Sequence, residues 1–316
     1  MSLHSPSHRM SCRLAGLLRG RSAVIGIPYL WLLVFFAAPF LIVLNYSLSE
    51  MGAVRPDNLM VAGDGMLRLA LKYGNYLTLF SDDLYFTAYV SSLKFAAITT
   101  AVCLVVGYPF AYFMARARAS LQPALLMGVM LPFWTSFLLR VYAWKGLLDE
   151  GGWVSQLLIA TRLDGLLVAL GMIDTAGKFM NTPFSLVIGM AYSYLPFMIL
   201  PLYANLAKLD LRLLEAAADL GATRFKAFWL ITVPLSRAGI VAGAMLVFIP
   251  CIGEYVIPEL LGGPRTLMIG KVLWDEFFSN NDWPMASSVA VVLVLLIVVP
   301  LAIFSKVQAE AREQAR

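Results

Sequence analysis

The sequence predicts an all-α integral membrane protein with six transmembrane helices, and three observations carry that expectation. Of its 316 residues 60% are hydrophobic and 14% charged, with a mean hydropathy of +0.78, whereas soluble domains carry about 25% charged residues. The apolar residues gather in runs of about 20, enough for a helix to cross roughly 30 Å of hydrocarbon, and not in the short alternating strands of an outer-membrane barrel. Lysine and arginine concentrate in four segments that six crossings place on one side.

The expected spans are 24–46, 88–114, 123–142, 184–205, 238–260 and 285–305. A seventh apolar stretch, Trp153–Ile173, has Arg162 and Asp164 at its centre. Each would cost about 2.5–3.5 kcal/mol in mid-membrane, so this stretch is expected to lie along the outer interface. The segments expected to be cytoplasmic are the basic tail 1–23, the turn holding Arg116 and Arg118, the loop 206–236 with its flank Arg237, and the tail 306–316. They hold 14 basic and 5 acidic residues, net +9, against 10 and 14, net −4, elsewhere. Both termini are therefore expected to be cytoplasmic. The first apolar run is about twice the length of a signal-peptide core and no clear small-residue cleavage site follows, which favours an uncleaved first span.

Cofactor chemistry finds little support. Cys12, Cys103 and Cys251 are far apart, and His4 and His8 lie in the polar N-terminal tail; neither set suggests a metal site. No G-x-x-x-x-G-K-[ST] loop is present, since Gly177-Lys178 and Gly270-Lys271 run on into Phe179 and Val272, so any ATP hydrolysis belongs to another polypeptide. Prolines 39, 109, 132, 196, 201, 250, 258 and 300 fall in or at the edges of the spans. They read either as ordinary kinks or as the joints of a bundle that flexes around a polar path.

The loop 206–236 is too polar to cross yet strongly patterned. Leu213, Ala216, Ala217 and Leu220 follow helical spacing, with Arg212, Glu215 and Asp219 on another stripe. Gly221 sits where a left-handed C-terminal cap is wanted, and Thr223 can cap a second helix bearing Phe225, Phe228 and Trp229 on one face, with Pro234 expected to stop it. Two short helices joined at a glycine read as a docking element, the alternative being a hairpin resting on lipid headgroups.

Glu215-Ala216-Ala217, three residues, Gly221, nine residues, Ile231-Thr232-Val233-Pro234 resembles the EAA motif of ABC importer permease subunits, with Val233 in place of the motif's leucine. Further stretches resemble polyamine permeases, nearest the putrescine type: Leu131–Ser136, Leu139–Trp144, Tyr194–Phe197, Gly253–Pro264, Met268–Gly270 and Trp283-Pro284. The resemblance covers most of the chain from about Ile25 to Ile303. The resemblance implies the type I (MetI-like) six-span permease fold with a cytoplasmic coupling helix between spans 4 and 5. Glu215 would pair with the ATPase subunit, Ala216 and Ala217 pack against it, and Gly221 make the turn. It also implies partners: a homologous second permease, two ATPase copies carrying ATP and magnesium, and a periplasmic solute-binding protein, with no cofactor on this chain. Spermidine or another small cationic or organic solute is the alternative cargo. An ion-coupled carrier would instead show internal repeats and broken helices at the midplane, and a membrane enzyme would show paired carboxylates or His ligands.

A dicationic amine leaving water needs carboxylates and aromatic faces. Glu254 lies 16 residues beyond Ala238, roughly 24 Å along a continuous helix, and Tyr255 follows it. Trp134 is expected near mid-depth, with Tyr192 and Tyr194 flanking the same level, and Asp275, Glu276, Asp282 and Trp283 are expected to form an acidic outer lip, the alternatives being docking of the binding protein or plain solvation. Arg140 is expected at the depth of Glu254, so the two could instead neutralise one another.

Overall fold

The first apolar run is helical. In the computed structural model, which describes residues 21–52, 56, 60–63, 66–69 and 72–314, helix α1 (Arg21–Leu32) passes through a π turn (Leu33–Ala37) into α2 (Ala38–Ser47). Its side chains from Val24 onward are almost all exposed, Phe36 at 72%, and an apolar helix bare on every side is stable only in lipid or against a partner. The expected basic tail 1–23 lies outside the described residues up to position 20.

After α2 the chain departs from all-α: β1 (Met60–Gly63) pairs antiparallel with β2 (Met66–Leu69) in a small hairpin. Helix α3 (Gly74–Ser81) follows. Two compact units are distinguished, one of residues up to Thr78 together with Asn281–Val299, the other built on Leu79–Asn280. Within the first, Ser47 accepts from the Tyr76 hydroxyl at 2.9 Å through its side chain, and from the Ser288 hydroxyl at 3.0 Å through its carbonyl. Asn75 donates to the Ser49 carbonyl and Lys72 pairs with Glu50 at 2.9 Å.

The second unit is organised on three helices, α4 (Asp83–Arg116), α9 (Pro183–Leu206) and α13 (Arg237–Ile252). Between the first two lie α5 (Gln122–Met130), α6 (Phe137–Leu148), α7 (Trp153–Ala160) and α8 (Leu163–Ala169). Small residues let α13 approach α9. A β-carbon at Gly239 would lie 2.8 Å from that of Asn205, and one at Gly243 would lie 2.8 Å from the Met198 sulfur and 3.0 Å from its carbonyl oxygen. The spacing is the small-xxx-small pattern of close membrane-helix packing. Gly243→Leu should therefore destabilise by about 1–3 kcal/mol through overpacking and lower the unfolding temperature of the detergent-solubilised chain. Gly128→Leu, where nothing lies within 4 Å, should not.

By length and composition α1–α2, α4 and α9 suffice to cross a membrane. The third expected span is not one helix. It follows α5 into a 3-10 turn (Leu131–Trp134), becomes extended at Thr135 and Ser136, and restarts as α6 at 88°. Pro132 cannot donate to the helix ladder. The carbonyl of Pro132, no longer in a regular helix, accepts from the Thr135 hydroxyl at 2.8 Å and from Arg140 Nη1 at 2.9 Å.

The fifth expected span, 238–260, is also interrupted. Helix α13 ends at Ile252, Gly253–Tyr255 are non-helical, and α14 (Val256–Leu261) begins afresh. In a continuous helix the Pro258 ring would collide with the Glu254 carbonyl four residues earlier. The stretch 153–173 is broken too, by Arg162 at φ +55 between α7 and α8, so neither half is long enough to cross. The last helix, α16 (Trp283–Gln314), runs past the expected end at Ser305.

Candidate functional site

The patterned loop folds as α10 (Arg212–Asp219), a turn at Gly221 with φ +79, and a second helical stretch of α11 (Arg224–Ala227), a π turn (Phe228–Thr232) and α12 (Val233–Leu235). A positive φ at Gly221 satisfies the expectation of a left-handed cap. The Thr223 hydroxyl accepts the Lys226 N–H at 3.3 Å, capping the second helix. Pro234 does not stop it. The Val233 N–H reaches the Phe228 carbonyl in the widened π register, the helix carries Pro234 to Leu235, and the break comes at Ser236, with a 64° bend into α13. There the Ser236 hydroxyl donates to the Val233 carbonyl and bonds the Tyr108 hydroxyl at 2.8 Å, fastening the joint to α4.

The apolar stripe of α10 does not face inward. Ala217 is buried, but Leu213 is 46% and Leu220 89% exposed, and Leu214 turns toward the protein instead. Glu215 stands exposed beside this bare stripe with no ion-pair partner among the described residues. The expected common aromatic face is split likewise: Phe228 packs edge-on to Tyr108 and Tyr112, each at 5.6 Å, whereas Phe225 and Trp229 are exposed.

At the other end of α13 the interruption brings Tyr194 and Glu254 together. The Tyr194 hydroxyl donates to Glu254 Oε2, and Oε1 accepts the N–H groups of Val256 at 3.1 Å and Ile257 at 3.5 Å, so the carboxylate also satisfies the free amides that open α14. Helix α15 (Ile269–Trp274) is held against this break. A β-carbon at Gly270 would lie 2.5 Å from the carbonyl oxygens of both Gly253 and Glu254, Ile269 N–H donates to Ser92 at 2.8 Å, and Lys271 pairs with Glu259 at 2.7 Å. Tyr255 stacks on Trp274 with centroids 4.3 Å apart, and Trp274 meets Phe278 at 4.1 Å. A half-buried carboxylate and, one residue on, a column of stacked rings are the kinds of group that a cationic amine requires on leaving water.

Other expected members fall elsewhere. Arg140 does not pair with Glu254: its Nη1 is on the Pro132 carbonyl, and its guanidinium lies over the rings of Phe133 and Phe137 at 5.1 and 5.8 Å. The 88° break invalidates the depth count that placed it level with Glu254. Trp134 ends the 3-10 turn 73% exposed, and Tyr192 packs edge-on to Trp144 at 5.5 Å. In the π turn that continues α15 (Asp275–Ser279), Glu276 accepts from Tyr85 at 2.8 Å and Asn280 at 2.9 Å. Asp282, in the other unit, caps α16 by accepting the Met285 N–H at 2.9 Å, next to Trp283. The Ser92 and Tyr85 contacts were not foreseen, though Trp274 and Phe278, one helical turn apart, carried a signal for their stacking.

Helices long and apolar enough to span, interrupted helices and a long structured loop describe a multi-pass membrane protein. The chain belongs to the family described as binding-protein-dependent transport system inner membrane components, which it matches over residues 103–309, and it is a transport subunit, not an enzyme. It is 37% identical over 274 residues, covering 87% of this chain and 88% of the relative, to the spermidine/putrescine transport system permease protein PotB of Salmonella typhimurium (strain SL1344). With PotB of Escherichia coli K12 it shares 36%, covering 87% and 92%; with the inner membrane ABC transporter permease protein YdcU of the same organism it shares 33%, covering 69% and 70%. Among solved structures, a bacterial ABC transporter importing the acidic polysaccharide alginate matches at TM-score 0.56 and 17% identity, covering 98% of this chain and 99% of that one. A complex of such an alginate transporter with its pentasaccharide-bound periplasmic protein matches at 0.58 and 15%, covering 88% and 89%. These two share the type I importer permease fold.

Proposed function

We propose that this chain forms half of the translocation path of an ATP-driven ABC importer that brings a polyamine, putrescine before spermidine, across the bacterial inner membrane, with both termini in the cytoplasm. The observation that carries the cargo class is the Glu254 carboxylate, held by Tyr194 at the interrupted fifth span, where the next residue, Tyr255, stacks on Trp274. The relatives named for spermidine and putrescine support it. Carboxylate and ring faces replace part of the water that an ammonium group loses.

The partners in this reading are a homologous second permease, two ATPase subunits that bind ATP and magnesium, and a periplasmic polyamine-binding protein. Glu215, Ala216, Ala217 and Gly221 receive the ATPase, with Pro234 carried in the following helix, and Asp275 and Glu276 of the second unit serve the outer lip or the binding protein's docking, as, separately, do Asp282 and Trp283 of the first. Nucleotide binding drives the switch because the ATPase pair favours one permease conformation over the other. Uptake of labelled putrescine and spermidine by the reconstituted transporter tests the reading. Putrescine transport that needs ATP is the expected result, and uptake driven by an ion gradient without ATP, or transport of neither amine, overturns it.

A further inference from the structure

Two cavities at the loop-bearing end of the second unit share one wall. The first, about 320 Å³, is lined by Tyr112, Arg116, Leu214, Arg224, Phe228 and Thr232 among others, with no acidic residue. The second, about 380 Å³, runs along α4 and α13 between Leu104, Val105, Trp229, Val233 and Ile240, and the Phe228 ring borders both. Its only hydroxyl, that of Tyr108, is engaged by Ser236.

Two residues that line the first cavity each carry a buried polar atom with nothing to bond. Arg116 Nη2 has no hydrogen-bond partner, its guanidinium lying 5.3 Å from the Tyr112 ring centroid, and the Thr232 hydroxyl is likewise unpartnered on a residue with no exposed surface. Neither Arg116 nor Arg224 joins an ion pair among the described residues. Buried donors left unmade are rare and cost free energy, and two of them beside a second guanidinium describe an anion's place. A free anion or a protein carboxylate would account for the basic cavity alone. The adjoining wholly apolar groove, open along helices of membrane-spanning character, calls for a ligand that is anionic at one end and hydrocarbon at the other.

We propose that the paired cavities bind one anionic phospholipid, its phosphate accepting from Arg116, Thr232 and Arg224 and an acyl chain lying past Phe228 in the groove. Basic pockets between membrane helices are suited to such headgroups. The lipid would tie the π turn below the loop to the end of α4.

The test uses the assembled transporter in phosphatidylcholine nanodiscs carrying a trace of phosphatidylglycerol with a photoactivatable acyl chain, with crosslinks mapped by mass spectrometry. Labelling is expected at 104–116 and 228–240. Replacing both arginines, Arg116→Gln with Arg224→Gln, should cut it about tenfold or more, while the two lysine replacements should retain most of it. Retention of the ATPase subunits on purification checks that each variant is folded. The proposal is overturned if a phosphatidylcholine probe labels equally, if the glutamine pair labels as wild type, if excess inorganic phosphate abolishes labelling, or if labelling appears only once the ATPase has been removed.

Discussion

Glu215→Lys should abolish ATP-dependent uptake while leaving the chain inserted in the membrane at its normal level. Glu215 is exposed, lies in the first turn of α10, and has no ion-pair partner among the described residues, so its replacement removes nothing that holds this chain together. What it removes is one of the two acidic groups of α10, Glu215 and Asp219, beside the exposed apolar residues Leu213, Ala216 and Leu220. If those residues are covered by an ATPase subunit, the Glu215 carboxylate becomes desolvated there. Losing a desolvated charge pair costs about 2–5 kcal/mol, hence at least roughly a thirtyfold weaker association. Pull-down of the ATPase with the solubilised permease measures that loss, and membrane fractionation measures insertion. Full uptake with normal ATPase recovery in the variant would remove Glu215 from the coupling role.

How far the sequence reaches is clearest at its prolines. Composition and run length located the apolar helices, and residue chemistry located Gly221 and Thr223 as caps, because those signals are local. Where a helix breaks is not local. Pro109 sits inside α4, and Pro196 and Pro201 sit inside α9, each helix continuous, yet the chain breaks just after Pro132 and just before Pro258. The difference lies in what satisfies the carbonyls and amides at the interruption: Arg140 and Thr135 at the Pro132 carbonyl, Glu254 at the amides of Val256 and Ile257. Those partners meet only after the chain has bent, so counting residues along an unbroken helix misplaced Arg140 and could not foresee the Tyr194–Glu254 bond.

The π turn at Phe228–Thr232 has a similar consequence. It widens the helix from Phe228 onward, and the common face expected of Phe225, Phe228 and Trp229 is split, Phe228 packing on Tyr108 and Tyr112 while Phe225 and Trp229 stay exposed. The same turn places Thr232 and Phe228 around the basic cavity. On α10 the pattern was read correctly as amphipathic, but amphipathicity does not say which face the protein keeps. Leu214 and Ala217 turn in, and Leu213, Ala216 and Leu220 of the more regular stripe are left exposed.

Glu254→Gln should depress putrescine uptake about ten- to hundredfold while assembly with the ATPase stays normal. The substitution is nearly isosteric, and the argument depends on that. A glutamine carbonyl can still accept from Val256 and Ile257, and its amide can meet the Tyr194 hydroxyl, so the start of α14 and its link to α9 are retained. Only the charge goes. A charge-assisted hydrogen bond to an ammonium group contributes about 1.5–3 kcal/mol, which sets the range. Tyr194→Phe tests the same carboxylate from the other side. It removes one donor and leaves the charge and both backbone N–H groups, so a loss of about 1 kcal/mol, near fivefold, is expected. The order of the two effects is the discriminating measurement. A substrate-facing carboxylate makes the glutamine variant the worse, whereas a purely structural latch makes the two similar and carries assembly down with uptake.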